Sequence, residues 1–342
     1  MRKPRITWFI PEPRWMKLRR IFGQKAWVPN IALGSVWIRS YQFASYLREK
    51  EYQITINNLD HQPDAAIFLR CYGAEDVKLA KNLKNSGTKI ILDVVVNYFQ
   101  ERLNAIQGYG GSSKEQVINF LGLVDIADQV WTSSPFLREI AAVYNPNTYF
   151  VSDSVDPVHF HRRAKLEIRN NQPLVLGWSG VSAKANALET LAPILIPLIS
   201  NQEVRISIIS DKPPKLSFNY DFTYWRYSTF PLEISKCDLC IAPRIVNDDY
   251  DRGHSLFKIG VFMSMGIPAL AGPVPSYKLL LGDGLAGHIC ESQIEWRYQI
   301  NRFLSEPELR TAMSNEAIIK IRPYLTTAVS TEIDYLLKKL LT

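Results

Sequence analysis

The chain has 342 residues, 46% hydrophobic and 21% charged, with 16 Tyr, 15 Phe and 8 Trp. This composition excludes disordered, collagenous and coiled-coil architectures, and at about 100–200 residues per domain the length predicts two domains. The formal charge of +7 is uneven: the first fifty residues hold eleven Lys/Arg against two Glu, a local excess that attracts phosphate or another anionic partner.

From residue 6 onward, short β-branched runs alternate with helical stretches. Strands are predicted at 6–10, 53–56, 65–69, 89–95, 129–132 and 149–151, and helices at 36–50, 75–86, 114–126 and 135–144. This alternation is the signature of a parallel sheet built from βαβ units. Residues 152–172 lose apolar periodicity and gain His, carboxylates and a basic cluster, which predicts a linker. A second series follows, with strands at 174–178, 204–209, 222–225, 239–242 and 269–271 and helices at 185–200 and 256–265. The tail, 294–341, reads as helical and ends on the amphipathic positions Ile333, Leu336, Leu337 and Leu340. The expected domains are 1–155, a linker 156–172, a second domain 173–322, and a C-terminal helix 323–342 able to cross back to the first domain.

No uninterrupted apolar stretch approaches the roughly 20 residues of a spanning helix. The N-terminus has basic charge but neither the apolar core nor the small-residue cleavage site of a secretory signal, so a cytoplasmic location is expected. Four Cys are too few for a disulfide framework. Cys237 and Cys240 form a C-x-x-C inside a predicted strand, and without a second Cys or His pair they read as buried thiols rather than a zinc or redox site.

Several motifs carry a bland reading beside a chemical one. Gly282, Gly284 and Gly287 spell G-x-G-x-x-G but precede a strand instead of opening a helix, so dinucleotide binding is not expected. Gly108, Gly110 and Gly111 read as a mobile loop. Asp249 and Asp251 form a D-x-D in a polar loop, where solvated carboxylates are the default and a metal the alternative. The turn Gly177-Trp178-Ser179-Gly180, followed by Lys184 at a helix start, suits an anion through backbone amides, although such turns also arise from geometry alone. In the stretch 251–268, Ser255 can N-cap a helix, Lys258 falls on its first turn and Gly266 ends it. A Lys on a first turn opposes the helix dipole unless an anion binds there.

These two loops, with Pro243 and Arg244 before the second, resemble the C-terminal domain of GT-B glycosyltransferases, close to family 4. In the first half, Gly34 and Ser35 with the following helix resemble that family's Gly-rich loop, and 65–70, 89–93, 127–133 and 147–156 resemble its later strands. The resemblance implies two Rossmann-like doubly wound domains facing across a cleft. It implies a retaining, metal-independent transferase moving a hexose from a UDP-sugar, with glucose favoured, to a hydroxyl of a glycan or lipid-linked acceptor in polysaccharide biosynthesis. No cofactor and no nucleic-acid partner is expected.

Carried over, the resemblance gives Lys184 and Lys258 the role of assisting diphosphate departure. Gly34, Ser179, Gly180, Trp225, Arg226, Arg244, Arg252, Gly253, His254, Ser255 and Leu256 would contact the donor. The acceptor hydroxyl is expected near Arg39, Asp93 and Asn97. The chain departs from the family in having Ser179 where an Arg is frequent, and Gly253 and Val261 where two Glu are. The alternatives are a UDP-sugar epimerase and a non-catalytic nucleotide- or glycan-binding protein. Finally, Arg14, Trp15, Lys17, Arg20 and Phe22 compose a basic, aromatic helical face that suits the anionic inner face of the plasma membrane, or else an ordinary surface helix.

Overall fold

The computed structural model describes residues 2–11, 34–102, 111–161 and 173–342. The basic aromatic segment 14–22, Gly108, Gly110 and the linker's basic cluster lie outside the described residues. The chain divides into two compact units, 1–154 with 326–342, and 155–325.

Each unit is built on a six-stranded sheet. The first has the order β2-β1-β3-β4-β5-β6, formed by β1 Arg5–Phe9, β2 Gln53–Ile56, β3 Ala65–Leu69, β4 Lys89–Val94, β5 Gln129–Thr132 and β6 Thr148–Phe150. The second has the order β12-β11-β10-β7-β8-β9, formed by β7 Leu174–Gly180, β8 Val204–Ser210, β9 Asp221–Tyr224, β10 Leu239–Ala242, β11 Ala269–Ala271 and β12 Gly287–Ile289. Every pairing between these strands is parallel. Helices cover both faces, so β3 reads as an unbroken buried run rather than an alternating one. In the first unit the chain steps from β1 outward to β2 and then back to β3 on the other side. In the second it runs β7, β8, β9 to one edge and restarts with β10 beside β7. Both are doubly wound sheets.

The amphipathic tail serves the first unit. Helix Thr326–Leu341 places Val329, Ile333, Leu336 and Leu337 in one buried cluster with Ile6, Trp8, Phe43 and Leu47. Tyr52 donates its hydroxyl to Asp334 at 2.9 Å. Gln42 sits where the chain leaves this unit and returns to it, its amide reaching the Ser154 hydroxyl at 2.9 Å and Thr326 Oγ1 at 2.5 Å. No helix among the described residues is long and apolar enough to cross a membrane.

Two predicted helices begin differently from the sequence reading. The stretch predicted as one helix over 185–200 is a 3₁₀ segment, Ser182–Leu191, followed by the α-helix Ala192–Ser200. Pro193 accounts for the break, because its ring clashes with the preceding turn and it has no N–H for an α-helical bond there. The helix predicted from 256 is Phe257–Ser264, with Leu256 at the N-cap position and no side-chain capping bond, so Ser255 does not cap it. Its other end is as expected. Gly266 adopts φ +76°, the Gly266 N–H reaches the Met263 carbonyl and the Ile267 N–H reaches that of Phe262, a Schellman closure that needs a residue at ease in the left-handed region. Gly282 terminates the helix Pro275–Leu281 and Gly287 opens β12, so the G-x-G-x-x-G does not join a strand to a helix. All four cysteines are buried thiols outside any disulfide, and burial pushes the Cys237 thiol up to about 12.

Arg39 and Asp93, expected at the acceptor, are instead the buried brace of the first unit. Arg39 is fully buried and Asp93 1% exposed. The guanidinium donates through Nε and Nη2 to Asp93, at 2.9 and 2.7 Å, and through Nη1 to Asp153 at 3.2 Å and the Val151 carbonyl at 2.7 Å. Burial works against both charges, but the two carboxylates more than offset it at Arg39 and keep the guanidinium protonated. Asn97, buried as well, caps its own turn by accepting from the Phe99 N–H at 3.0 Å. Removing the cation would strand Asp93 and Asp153 without their counter-charge, and breaking a buried pair this way costs about 3–5 kcal/mol. An Arg39→Met variant should lose that much unfolding free energy in a urea titration; a loss below about 1 kcal/mol would show that the brace contributes little.

Candidate functional site

In an open parallel sheet, ligands bind beyond the carboxyl ends of the strands, where the winding reverses and two neighbouring connections diverge. In the second unit that point lies between β7 and β10. The end of β7 leads through Ser179 and Gly180 to Lys184. The end of β10 leads through Pro243 to Arg244, and the loop beyond it carries Asp248 to Leu256 into the helix Phe257–Ser264. The structure brings Lys184, Arg244, His254 and Lys258 together here.

His254 is the hub. Its Nδ1 faces the Tyr250 carbonyl at 2.8 Å, which fixes the proton on that nitrogen. Its Nε2 then accepts from Lys184 Nζ at 3.1 Å and Arg244 Nη2 at 2.8 Å. Burial, then the positive charges of Arg244 and Lys184, hold its pKa well below the usual imidazole range, so the ring is neutral. Ser276 donates to the His254 carbonyl at 2.6 Å and pins the backbone. Lys184 also stands 5.4 Å over the Tyr250 ring.

Arg244 pairs with Asp251 at 2.6 Å, while its Nε is buried without a partner among the described residues. Asp249 lies 3.5 Å from Arg252. Both carboxylates of the D-x-D therefore face cations, within a helical turn, Asp249–Arg252, capped by Asp248. Among the described residues no group of three or more metal-ligating side chains is found.

Lys258 lies on the first turn of its helix, as predicted, as the second residue of Phe257–Ser264. Its ammonium lies 4.4 Å over the Trp178 ring. A Cβ at position 180 would come within 2.9 Å of that nitrogen and 3.0 Å of the indole, so glycine at 180 leaves the room that Lys258 occupies. Burial, then repulsion from Arg244 and Lys184, lowers its pKa to about 7. Among the described residues no carboxylate lies within ion-pair distance of it. A cation held beside two others, against a helix N-terminus and under-neutralised, is poised for an anion.

The remaining predicted residues fall in different places. Ser179 is buried within β7, and Gly253 closes the turn before His254. The helix starting at Phe257 makes its first i→i−4 bond from Gly260 to Leu256. The amides of its first turn with no i→i−4 carbonyl are therefore those of 257–259, whereas the resemblance pointed to 254–256. Trp225 and Arg226 follow β9 at the sheet edge, Trp225 packed 6.0 Å from Phe230 and Arg226 exposed. Arg252 is exposed on its pair with Asp249. Gly34 opens a helix of the first unit, and a Cβ there would meet nothing within 4 Å among the described residues. Val261 is 1% exposed in the core of the second unit. The role of Tyr250, whose carbonyl sets the imidazole tautomer, had no signal in the sequence, because a backbone contact leaves no mark on residue type.

The chain matches no protein-family model and no curated protein. Among solved structures it is similar to sucrose-phosphate synthase from Thermosynechococcus elongatus, at 11% identity over 98% of this chain and 99% of that one, with a TM-score of 0.68. It is similar to Anabaena HepE in complex with UDP-glucose, at 12% identity, 98% and 99% coverage and a TM-score of 0.64. A glycosyltransferase from Rickettsia africae aligns over the full length of both chains at 11% identity, with a TM-score of 0.63. The chain thus has the GT-B fold of these enzymes, two Rossmann-like α/β units.

The Lys258 pKa makes a prediction for stability. The folded protein releases this proton near pH 7, whereas an unfolded chain holds it to the ordinary 10.5. The charge therefore opposes folding in full below pH 7, and the penalty fades as the pH rises from 7 to 10.5. By calorimetry, a Lys258→Met variant should melt above wild type at pH 6, with the gap closing by pH 10. A gap independent of pH would mean that Lys258 has an ordinary pKa.

Proposed function

We propose that the chain is a glycosyltransferase that moves a hexose from a UDP-sugar to a hydroxyl of a glycan or lipid-linked acceptor. The observation that carries this reading is the buried ammonium of Lys258, with no carboxylate at ion-pair distance among the described residues, gathered with Lys184 and Arg244 around His254 at the β7/β10 divergence. Structures of HepE with UDP-glucose, with UDP and glucose, and with UDP support a nucleotide-sugar donor on this fold, as does pneumococcal GtfA with UDP and GlcNAc.

Breaking an anomeric bond to a diphosphate builds negative charge on the departing oxygen. Preorganised cations there are stronger than in water and need no reorganisation as the bond breaks. Lys258 and Arg244 would face that charge, Lys184 would share it, and neutral His254 would hold the last two in place without cancelling them. Asp249 and Asp251 are held by arginines, so in this reading the diphosphate is neutralised by protein cations without a metal, and excess EDTA leaves turnover unchanged. A retaining outcome with glucose as the sugar completes the proposal. Arg14, Trp15, Lys17, Arg20 and Phe22 are where it puts contact with an anionic membrane that presents the acceptor, on the cytoplasmic side.

One observation favours a second reading. Val261 lies in the apolar core and Gly253 has no side chain, so neither position offers the donor a carboxylate. A member of the fold that binds UDP-sugars without transferring them fits that loss. UDP release from UDP-glucose, with water or acceptor present, separates the two readings: a transferase releases UDP and a binder releases none.

Lys258→Ala should lower turnover by roughly 10²–10³-fold, the cost of losing one preorganised partner of the developing charge. Wild-type turnover in this variant would remove Lys258 from the mechanism. A bound diphosphate also stabilises the ammonium of Lys258, so binding takes up a proton when the empty site is above pH 7. UDP affinity measured by calorimetry should therefore fall as the pH rises from 7 to 9, and the pH dependence should disappear in Lys258→Met.

A further inference from the structure

The first unit has its own divergence point, between β1 and β3, and the residue that follows β3 there is Arg70. Its backbone is left-handed, φ +57°, a conformation that costs a non-glycine residue energy and persists only where the surroundings impose it. Arg70 is half-buried. Its guanidinium Nη1 reaches Ser35 Oγ at a long 3.3 Å, beside the N-terminus of the helical stretch 34–49 that follows β1. Among the described residues no carboxylate lies within ion-pair distance of it. Asp93 is held by Nε and Nη2 of Arg39.

Tyr72, two residues on, is an independent sign of a ligand. It is 5% exposed, wedged at 4.9 Å from the Tyr98 ring and 5.1 Å from Phe120, and its hydroxyl is buried with no hydrogen-bond partner among the described residues. Its ionisation is disfavoured by burial and by Tyr98, and favoured by Arg70, so the hydroxyl lies within the field of the guanidinium. An unmet buried hydroxyl is costly. Arg70, Ser35 and Tyr72 thus offer a guanidinium and two hydroxyls at the place where a doubly wound sheet binds its ligand.

We propose that Arg70, Ser35 and Tyr72 form a subsite for an anionic group, phosphate or carboxylate, carried by the sugar acceptor. The acceptor assignment rests on the transferase reading above; the anion site itself does not. A planar guanidinium recognises both anions through paired N–H groups, and each hydroxyl can donate a further bond.

The test uses the full chain and inorganic phosphate as the probe, titrated calorimetrically in two backgrounds that silence the other cation cluster: protein saturated with UDP, and a Lys184→Ala/Lys258→Ala variant. Arg70→Gly and Arg70→Gln should each lower phosphate affinity at least tenfold in both backgrounds and leave UDP affinity unchanged. Tyr72→Phe should lower it about threefold. Because glycine is at ease at φ +57°, Arg70→Gly should melt no lower than wild type. Glucose 1-phosphate or glucuronate should displace phosphate where glucose does not, and the stronger displacer identifies the anion.

Phosphate binding unchanged by both Arg70 substitutions would overturn the proposal, as would displacement by glucose alone. A lower melting point for Arg70→Gly, with phosphate affinity intact in Arg70→Gln, would make Arg70 a brace for Ser35 and overturn it too. Failure of UDP to bind would sink the donor reading, while the double-variant background would still decide this one.

Discussion

Parallel pairing places every strand's carboxyl end on one edge of its sheet, and each sheet here can open that edge at just one reversal of winding. Everything chemical in the molecule follows from this constraint. In the second unit the reversal gathers the end of β7, the loop after β10 and the helix behind it, so side chains seventy residues apart in sequence, Lys184 and His254, meet at hydrogen-bond distance. In the first unit the same constraint puts Arg70 beside Ser35. The sheets supply the address, and the loops supply the charge.

Crowding three cations around one imidazole works only because that imidazole is neutral. A second proton on His254 would place an imidazolium among Lys184, Arg244 and Lys258, and the tautomer enforced by the Tyr250 carbonyl leaves Nε2 with a lone pair to offer them. The ring thus orients cations without neutralising them. Asp251 balances Arg244, and the packing of Lys258 over Trp178 sets a soft aromatic face, rather than a carboxylate, against the last charge. The first unit solves the opposite problem with the opposite device: Arg39 is met in full by Asp93 and Asp153, and it is structural.

The architecture was legible because its signals are local. Helices Lys114–Ile126 and Pro135–Tyr144 and strands β5, β10 and β11 have the predicted limits, fixed by Ser113 and Ser134 caps and by short β-branched runs. The Lys258 conflict with its helix dipole also lay in the sequence and pointed to the cluster. What could not be read was pairing at a distance. Arg39 and Asp93 have the residue types of an acceptor site, and only burial shows that they satisfy each other. Arg70 passed as the end of a strand, because a left-handed φ at an arginine has no signature in residue type. Ser255 has the chemistry of a cap, yet the helix starts two residues later at Phe257.

The chain leaves the first unit after Ser154 and re-enters it at Thr326. The second unit is therefore a guest inserted in a host. During synthesis the guest is complete before the host, whose apolar surface around Ile6, Trp8 and Phe43 stays uncovered until Val329, Ile333, Leu336 and Leu337 emerge. Nascent chains long enough to include residue 325 but not the last helix would carry a finished second unit and a host that is still sticky, and that is the stage at which a chaperone would have most to do.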